Sequence, residues 1–222
     1  MSEVIQSPNE VTSLYFSQSR SEMLTYIPQG TNRLLDVGCG TGEFGAQLKS
    51  IFKCEVWGIE LVNEVAVVAK TYLDKVIIND INIAINDLPD AYFDCISCND
   101  VLEHLVDPFT VLKSLKSKLM TKGVIVCSIP NVRYWDNLKS LVLHKQWKYE
   151  DSGILDRTHL RFFTELSLRE MFVNLGFDII QMEGINPSRS RNLALLNFLT
   201  GGSLKDAKYL QFACVIRPSQ ML

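Results

Sequence analysis

The sequence predicts an α/β protein with a mostly parallel sheet, because strand-like and helix-like segments alternate along much of the chain. Short apolar runs such as 34–37 and 54–59 are each followed by a segment whose apolar residues recur at spacings of three and four. A glycine-rich turn joins the first strand to its helix. That arrangement builds a nucleotide-binding crevice at the carboxyl end of a strand in open α/β sheets.

The composition is that of a globular protein. The 222 residues are 47% apolar and 21% charged, and the net charge of −3 gives no basic surplus for nucleic acid. Apolar residues never run on for the roughly 18 that a membrane span needs, and the first part of the chain lacks the pattern of a secretory signal. The six cysteines lie mostly in strand-like apolar runs, which indicates reduced core thiols and a cytoplasmic location.

The predicted elements follow one another in a regular order. A first helix over 10–27 precedes strand 34–37. The alternation then gives helix 42–52, strand 54–59, helix 62–73, strand 76–78, strand 92–98, a helix that Asp107 caps and Pro108 begins, and strand 123–129. It stops over 132–162, a segment rich in aromatic and basic side chains. Helix 164–175, strand 177–183, helix 193–199 and strand 209–216 complete the chain.

These elements predict one domain over 1–222. Its parts are the N-terminal helix at 10–27, a core over 33–131, a cap insertion over 132–162, and a C-terminal helix with strands over 163–217 that carries a second insertion at 186–206.

The glycine turn indicates which nucleotide the crevice binds. A dinucleotide site needs glycine or alanine where Glu43 stands, and a carboxylate there would repel a pyrophosphate. S-adenosylmethionine (SAM) has no phosphate and carries a sulfonium and an ammonium. Asp36, an acid within the strand, needs donors if it is buried, and it can hold the glycine loop or the ligand's ammonium through water. The run Asp-x-Gly-x-Gly-x-Gly over 36–42 resembles motif I of the class I SAM-dependent methyltransferases.

This resemblance implies a Rossmann-like sheet of seven mostly parallel strands, the last one antiparallel, with helices on both faces and a small helical or loop cap. It also implies SAM as the cofactor and S-adenosylhomocysteine as the product. The residues it places against the cofactor are Asp36, Gly38, Cys39, Gly40, Gly42, Glu60, Leu61, Asp80, Ile81, Asn99 and Asp100. Glu60, at a strand end, can accept both ribose hydroxyls. Asp80 resembles the acid that contacts the adenine amino group, although Asn79-Asp80 is also ordinary turn chemistry.

The segment 92–108 is similar to the family's fourth strand and the turn after it. Its Val101-Leu-Glu-His104 run would lie beside the methyl donor. A neutral His104 imidazole could take a hydroxyl proton as the methyl is transferred, or it could cap the turn and never titrate. The amino-methyltransferases of DNA place Asn/Asp-Pro-Pro-aromatic at this strand end. Asn99 is followed here by Asp100 and Val101, so that class is not expected.

A third signal lies in 153–164, where acidic, basic and histidine side chains crowd into a connection that a minimal fold does not need. Together with 130–134, this segment resembles a branch of SAM methyltransferases found with bacterial surface-polysaccharide and glycosyltransferase genes. Through Thr-His-x-x-x-Phe it is also similar to the ubiquinone-pathway O-methyltransferases. A salt-bridged loop that anchors the cap is the alternative.

The expected function is therefore direct methyl transfer from SAM to a hydroxyl of a sugar, polysaccharide or quinone-like phenol. His159 or His104 is the expected general base, with His159 preferred for its charged neighbours. The residues expected on the acceptor are Arg133, Tyr134, Trp135, Arg157 and Arg161. The three arginines could grip a phosphate or carboxylate, or could equally form internal ion pairs. No metal is expected, because the sulfonium methyl is already activated.

Other functions stay open. The acceptor could be the amine of an amino sugar, or the chain could be a SAM-binding partner subunit without catalysis. A nicotinamide-dependent reductase is disfavoured by Glu43 and by the lack of a Tyr-x-x-x-Lys pair. The expected partner is a small-molecule or glycan acceptor, without nucleic acid, and a homodimer stays open.

Overall fold

The computed structural model describes residues 20–219. Residues 10–19 of the predicted first helix lie outside this range. Within the predicted helix, Ser21–Tyr26 form a 3-10 helix. The short helix is preceded by Arg20 in a left-handed conformation and buries Met23.

Seven strands in the described residues form one sheet with the order β3-β2-β1-β4-β5-β7-β6. Their bounds are β1 Arg33–Val37, β2 Glu55–Glu60, β3 Lys75–Ile78, β4 Phe93–Asn99, β5 Leu119–Pro130, β6 Phe177–Pro187 and β7 Tyr209–Pro218. β1 is parallel to β2 and β4, and β2 is parallel to β3, whereas β7 runs antiparallel to both β5 and β6. The Rossmann-like fold class, with an antiparallel last strand, is confirmed.

The chain divides into two compact units, and the residues of β4 and β5 are shared between them. The first unit, described over 20–97 and 118–121, contains β1, β2, β3 and most of β4. Its α-helices are α1 Glu43–Phe52, α2 Asn63–Ala69 and α3 Ile81–Ala84. The side chains of Leu34, Leu35, Val56 and Ile96 are wholly buried, as expected for parallel strands covered on both faces.

The second unit, described over 98–117 and 122–219, contains most of β5 together with β6 and β7. Its α-helices are α4 Pro108–Leu115, α5 Trp135–Leu143, α6 Glu165–Asn174 and α7 Arg191–Leu199. Asp107 caps α4 by accepting from the N–H groups of Phe109 and Thr110, as the sequence predicted. Thr164 and Ser167 form a capping box that begins α6.

Several predicted bounds differ from the structure. β5 begins at Leu119 rather than at 123, because exposed residues over 120–122 continue the strand without an apolar signal. β6 extends to Pro187, where pairing with β7 replaces burial as the reason for extension. α2 ends at Ala69, four residues before the predicted end at 73. Within 20–219, no helix has both the length and the apolar character to cross a bilayer.

Candidate functional site

The glycine loop after β1 is built from left-handed backbone. Gly38, Gly40 and Gly42 have φ values of 70°, 54° and 85°, a region that side-chain-bearing residues rarely adopt. The N–H groups of Gly38 and Cys39 both donate to the carbonyl of Ile59, at 2.8 and 3.1 Å. The loop is thereby fixed to the end of β2. Gly38 is exposed, whereas Gly40 and Gly42 are buried.

Glu60 fastens the other side of this loop. Its carboxylate is buried, with one oxygen accepting from the Gly40 N–H at 3.0 Å and the other from the Val62 N–H at 2.9 Å. A carboxylate oxygen has two lone-pair directions, so each can accept a second hydrogen bond. Glu60 therefore orders the loop and still has acceptor capacity for ribose hydroxyls.

Asp36 is a buried acid within β1. It is 3% exposed and accepts a hydrogen bond from the Ser97 hydroxyl at 2.6 Å. Burial raises the pKa of this carboxyl to about 7, with the Ser97 hydroxyl opposing the rise and the charge of Glu60 adding to it. Because a nearby cation favours the ionised form, a positively charged ligand would lower this pKa. Sequence reasoning assigned no role to Ser97, which the β1–β4 register places opposite Asp36.

The Cys39 side chain occupies the space that a side chain at position 58 of β2 would need. A Cβ added to Gly58 of β2 would lie 2.5 Å from the Cys39 sulfur and 2.7 Å from the Leu73 side chain. Burial raises the pKa of the Cys39 thiol well above its usual range, so the thiol stays protonated and does not act as a nucleophile. Cys39 is a packing residue of the loop.

The remaining first-unit candidates are less enclosed. Asp80 caps α3 by accepting from the Asn82 N–H at 2.8 Å, which is the turn chemistry that the sequence left as its alternative. Ile81 is buried, whereas Leu61 is 65% exposed. Their contacts with a cofactor stay predictions.

In the second unit, Asn99 and Asp100 end β4. Both polar atoms of the Asn99 side chain are buried and have no hydrogen-bond partner among residues 20–219, a costly arrangement unless a ligand supplies a donor and an acceptor. Asp100 has a left-handed backbone with φ 51°, and it accepts from the Ser128 hydroxyl at 3.0 Å and the Gln211 amide at 2.7 Å. Ser128 and Gln211 carried no sequence signal, because they lie within ordinary strands.

In the second unit, the Asn99 amide offers one donor and one acceptor. The residues of the first unit suit SAM. Three positions of the loop carry no side chain, and Glu60 keeps acceptor capacity for ribose hydroxyls. The sulfonium and ammonium also suit the acidic side chain of Asp36.

Two histidines far apart in sequence meet in the second unit. The ring centroids of His104 and His159 lie 4.6 Å apart at an interplanar angle of 74°. His159 Nε2 is 4.0 Å from Glu103 Oε1, and both side chains are buried, whereas His104 is half-buried. Sequence reasoning named both histidines separately, and it quoted Glu103 only as part of a motif.

Hydrogen bonds determine which nitrogen of each ring carries the proton. Thr158 donates its hydroxyl to buried Asp156 at 2.7 Å, so toward His104 Nδ1, at 3.1 Å, this oxygen can only accept. His159 Nδ1 lies 2.9 Å from the carbonyl oxygen of Ile154, which also only accepts. Both Nδ1 atoms are therefore donors in the neutral rings, and both Nε2 atoms carry lone pairs. Burial and the neighbouring His159 lower the pKa of His104.

The three arginines expected on the acceptor have internal partners. Arg133 donates to both Asp206 oxygens, at 2.7 and 3.2 Å, and Asp206 raises the pKa of this guanidinium. Arg157 pairs with Asp151, and Arg161 Nε donates to a backbone carbonyl at 3.1 Å. The structure thus has the internal contacts that the sequence left open, and an additional contact with an acceptor stays a prediction.

The aromatic candidates of the cap lie at the start of α5. Tyr134 and Trp135 are both half-buried. A cavity of about 450 Å³ elsewhere in the second unit is lined by Glu165, Met182, Glu183, Gly184, Lys205, Asp206, Tyr209 and Phe212, none of which the sequence proposed.

Comparison with known proteins identifies the family. Residues 12–182 match the family described as a methyltransferase domain. An uncharacterized methyltransferase of Schizosaccharomyces pombe is 28% identical over 200 residues, which cover 85% of this chain and 60% of that protein. The ubiquinone biosynthesis O-methyltransferase of Glaesserella parasuis is 28% identical over 125 residues, which cover 49% of this chain and 51% of that protein. The chain thus spans about half to 60% of the length of these relatives.

The fold has a close counterpart among solved structures. A SAM-dependent methyltransferase from Archaeoglobus fulgidus superposes with a TM-score of 0.71 over 95% of this chain and 99% of that chain, at 22% identity. At this identity the similarity shows the fold, and the family match over most of the chain carries the assignment.

Proposed function

The chain belongs to the methyltransferase domain family, and from this premise we propose that it transfers a methyl group to a hydroxyl oxygen of a small molecule or glycan. It is a SAM-dependent methyltransferase, and SAM is its cofactor. The proposal concerns the acceptor, the atom methylated and the residues that hold them.

The observation that carries the proposal is the contact between the His104 and His159 rings, whose centroids lie 4.6 Å apart. Hydrogen bonds to both Nδ1 atoms leave two Nε2 lone pairs, which suit a group that must lose a proton as it is methylated. The ubiquinone biosynthesis O-methyltransferase to which the chain is similar supports oxygen as the methylated atom. The general-base role of either histidine stays a prediction.

SAM supplies a methyl group already activated by its sulfonium. We propose that the glycine loop and Glu60 hold its adenosine end, that Asp36 faces its positive charge, and that Asn99 and Asp100 bind its methionine end. The chain's remaining contribution is to hold the acceptor oxygen in line with the bond between the SAM sulfur and its methyl group and to exclude water, since positioning supplies much of the rate acceleration. Half-buried Tyr134 and Trp135 are proposed to contact an acceptor ring.

Methyl-donor turnover measured against nucleotide sugars, glycan oligomers, phenols and amino sugars tests the acceptor class. We expect S-adenosylhomocysteine to form with a hydroxyl acceptor, and the product to carry a methyl ether. An N-methylated amino sugar as the sole product would overturn the O-methylation proposal. SAM binding without turnover on any of these classes would favour the non-catalytic partner subunit.

His104→Gln and His159→Gln test the acceptor side of this proposal, with His144→Gln as the matched control because His144 is exposed. Either of the first two should lower kcat and leave the SAM dissociation constant unchanged. Full kcat in both would mean that catalysis depends on proximity without these imidazoles.

The wider setting is also a proposal. We propose that residues 1–222 act as one domain with 132–162 as the acceptor cap, that the protein works in the cytoplasm, and that it forms a homodimer. All six cysteines are buried, and within 20–219 none forms a disulfide, which supports a reducing compartment. Light scattering on the purified chain tests the dimer.

A further inference from the structure

We propose that Glu103, His104 and His159 form a binding site for one divalent metal ion of the Zn²⁺ class. One ligand atom from each of the three residues lies within 4.8 Å of the other two. Ligand atoms around one tetrahedral ion are separated by about 3.4 Å when metal–ligand bonds are near 2.1 Å. The three side chains therefore need to close by about an ångström, which rotation about side-chain bonds can supply.

The protonation pattern of both rings is that of metal ligands. A ligating histidine usually donates its second N–H to a carbonyl, carboxylate or other oxygen, which fixes the ring and leaves a lone pair for the metal. His159 Nδ1 meets the Ile154 carbonyl at 2.9 Å, and His104 Nδ1 meets the Thr158 hydroxyl at 3.1 Å and the Thr158 carbonyl at 3.3 Å. Because Nδ1 is the anchored atom of each ring, Nε2 is the atom through which each histidine would bind the ion.

The backbone ties the two contributing segments together. Glu103 and His104 belong to a 3-10 helix at Leu102–His104, and His159 belongs to the turn that buried Asp156 organises. The Glu103 carbonyl accepts from the N–H groups of Leu160 and Arg161 at 2.8 and 3.0 Å. The side chains are therefore held near one another before any ion binds, which reduces the entropy lost on binding.

The charges of the cluster also favour a cation. His159 Nε2, a lone-pair nitrogen, is 4.0 Å from an oxygen of the 1%-exposed Glu103 carboxyl, a distance too long for a hydrogen bond. A positive charge between this nitrogen and the Glu103 carboxyl, whether a proton on Nε2 or a metal ion, favours their approach. A metal ion supplies that charge and binds both atoms.

The donor set selects the ion. Two imidazole nitrogens and one carboxylate suit Zn²⁺ and similar first-row ions, whereas Mg²⁺ prefers oxygen ligands alone. Three protein ligands also leave a position open. That an acceptor oxygen would occupy this position rests on the proposed function, whereas the ion site itself does not. With an ion bound, both Nε2 lone pairs are used by the metal, so the two histidines act as ligands in place of the general-base role proposed above.

Titration of the chelator-treated, full-length protein with Co²⁺ tests the site without SAM or acceptor. We expect one Co²⁺ to bind per chain, with d–d absorption bands that disappear when Zn²⁺ is added and persist in millimolar Mg²⁺. Absence of saturable binding, or displacement by Mg²⁺ as readily as by Zn²⁺, would overturn the proposal. SAM affinity measured by calorimetry on the same sample separates failure of this site from failure of the methyltransferase assignment.

Variants locate the ion. Glu103→Gln, His104→Gln and His159→Gln should each weaken Co²⁺ binding by at least about 100-fold, and Thr158→Val, which removes one anchor of His104, by about 10-fold. His144→Gln should bind as the wild type does. Because Glu103 and His159 are buried, thermal melting accompanies these measurements, and half-buried His104 decides the question if either buried variant fails to fold. Unchanged binding in His104→Gln contradicts the site.

Discussion

Replacing Asp36 with Asn should stabilise the folded protein at alkaline pH and weaken the binding of SAM. The pKa of this acid is raised by burial from 3.8 to about 7, so the folded state holds its proton more tightly than the unfolded chain does. Stability contributed by this group is therefore present at low pH and is lost as the pH rises between 3.8 and about 7. At about 1.36 kcal/mol per pK unit, the full loss is about 4 kcal/mol.

The Asn side chain cannot ionise and can still accept from the Ser97 hydroxyl through its amide oxygen. Urea unfolding should show the variant gaining about 2–3 kcal/mol on the wild type between about pH 5 and about pH 8. Asp87→Asn is the control, because it removes the same charge from an exposed position and should leave the pH profile unchanged.

Cofactor binding should depend on pH in the opposite direction to stability. A positively charged ligand favours the ionised form of Asp36, so wild-type SAM affinity should fall by up to about tenfold for each pH unit below 7. The variant should bind SAM about 10- to 100-fold more weakly at neutral pH and lose this dependence. A variant that is equally destabilised at both pH values, or that binds SAM as tightly as the wild type does, would refute the reasoning.

Three other predictions concern the glycine loop, its acid and a helix end. Gly42→Ala should lower SAM affinity at least about tenfold and reduce the melting temperature, since the new Cβ would lie 3.0 Å from the backbone of α2. Gly30→Ala is the control, because Gly30 also has a positive φ, 81°, but an added Cβ there would meet no atom within 4 Å. An equal fall in melting temperature in the two variants would therefore contradict the proposed clash at Gly42. Glu60→Gln should weaken SAM binding by about 10- to 100-fold, because each Glu60 oxygen accepts one backbone N–H and the NH₂ group of glutamine cannot accept. An unchanged dissociation constant in calorimetry would disprove this. Lys116→Met should cost about 1–2 kcal/mol in urea unfolding, since this ammonium donates to two carbonyls just beyond α6, whereas exposed Lys113→Met on α4 should cost little; equal effects would argue against these bonds.

The sequence predicted the parts of the fold that local patterns encode. The apolar run before Gly38 and the helical spacing after Gly42 specified β1 and α1, and Asp107-Pro108 specified the start of α4. The end of β6 could not be predicted, because it depends on pairing with β7 along residues that alternate weakly between polar and apolar. The start of β5 was missed for a different reason, since residues 120–122 are exposed and give no apolar signal.

The candidate site divides in the same way. Asp36, the glycines and Glu60 lie within a short stretch whose chemistry can be read locally. The meeting of His104 with His159 depends on tertiary structure, as does the contact of Asp100 with Gln211, because backbone and side-chain hydrogen bonds bring distant segments together. Composition gives no signal of such contacts, and neither do motif spacings.

The contact between Cys39 and Gly58 constrains how this sequence can diverge. The two residues share one volume, since β2 lacks a Cβ where the loop thiol packs. A larger residue at either position overfills that volume, whereas a smaller residue at 39, with a shift of the Leu73 side chain, would make room for alanine at 58. Substitutions at the two positions should therefore be compensatory, and homologues are expected to covary there as a pair for reasons of packing alone.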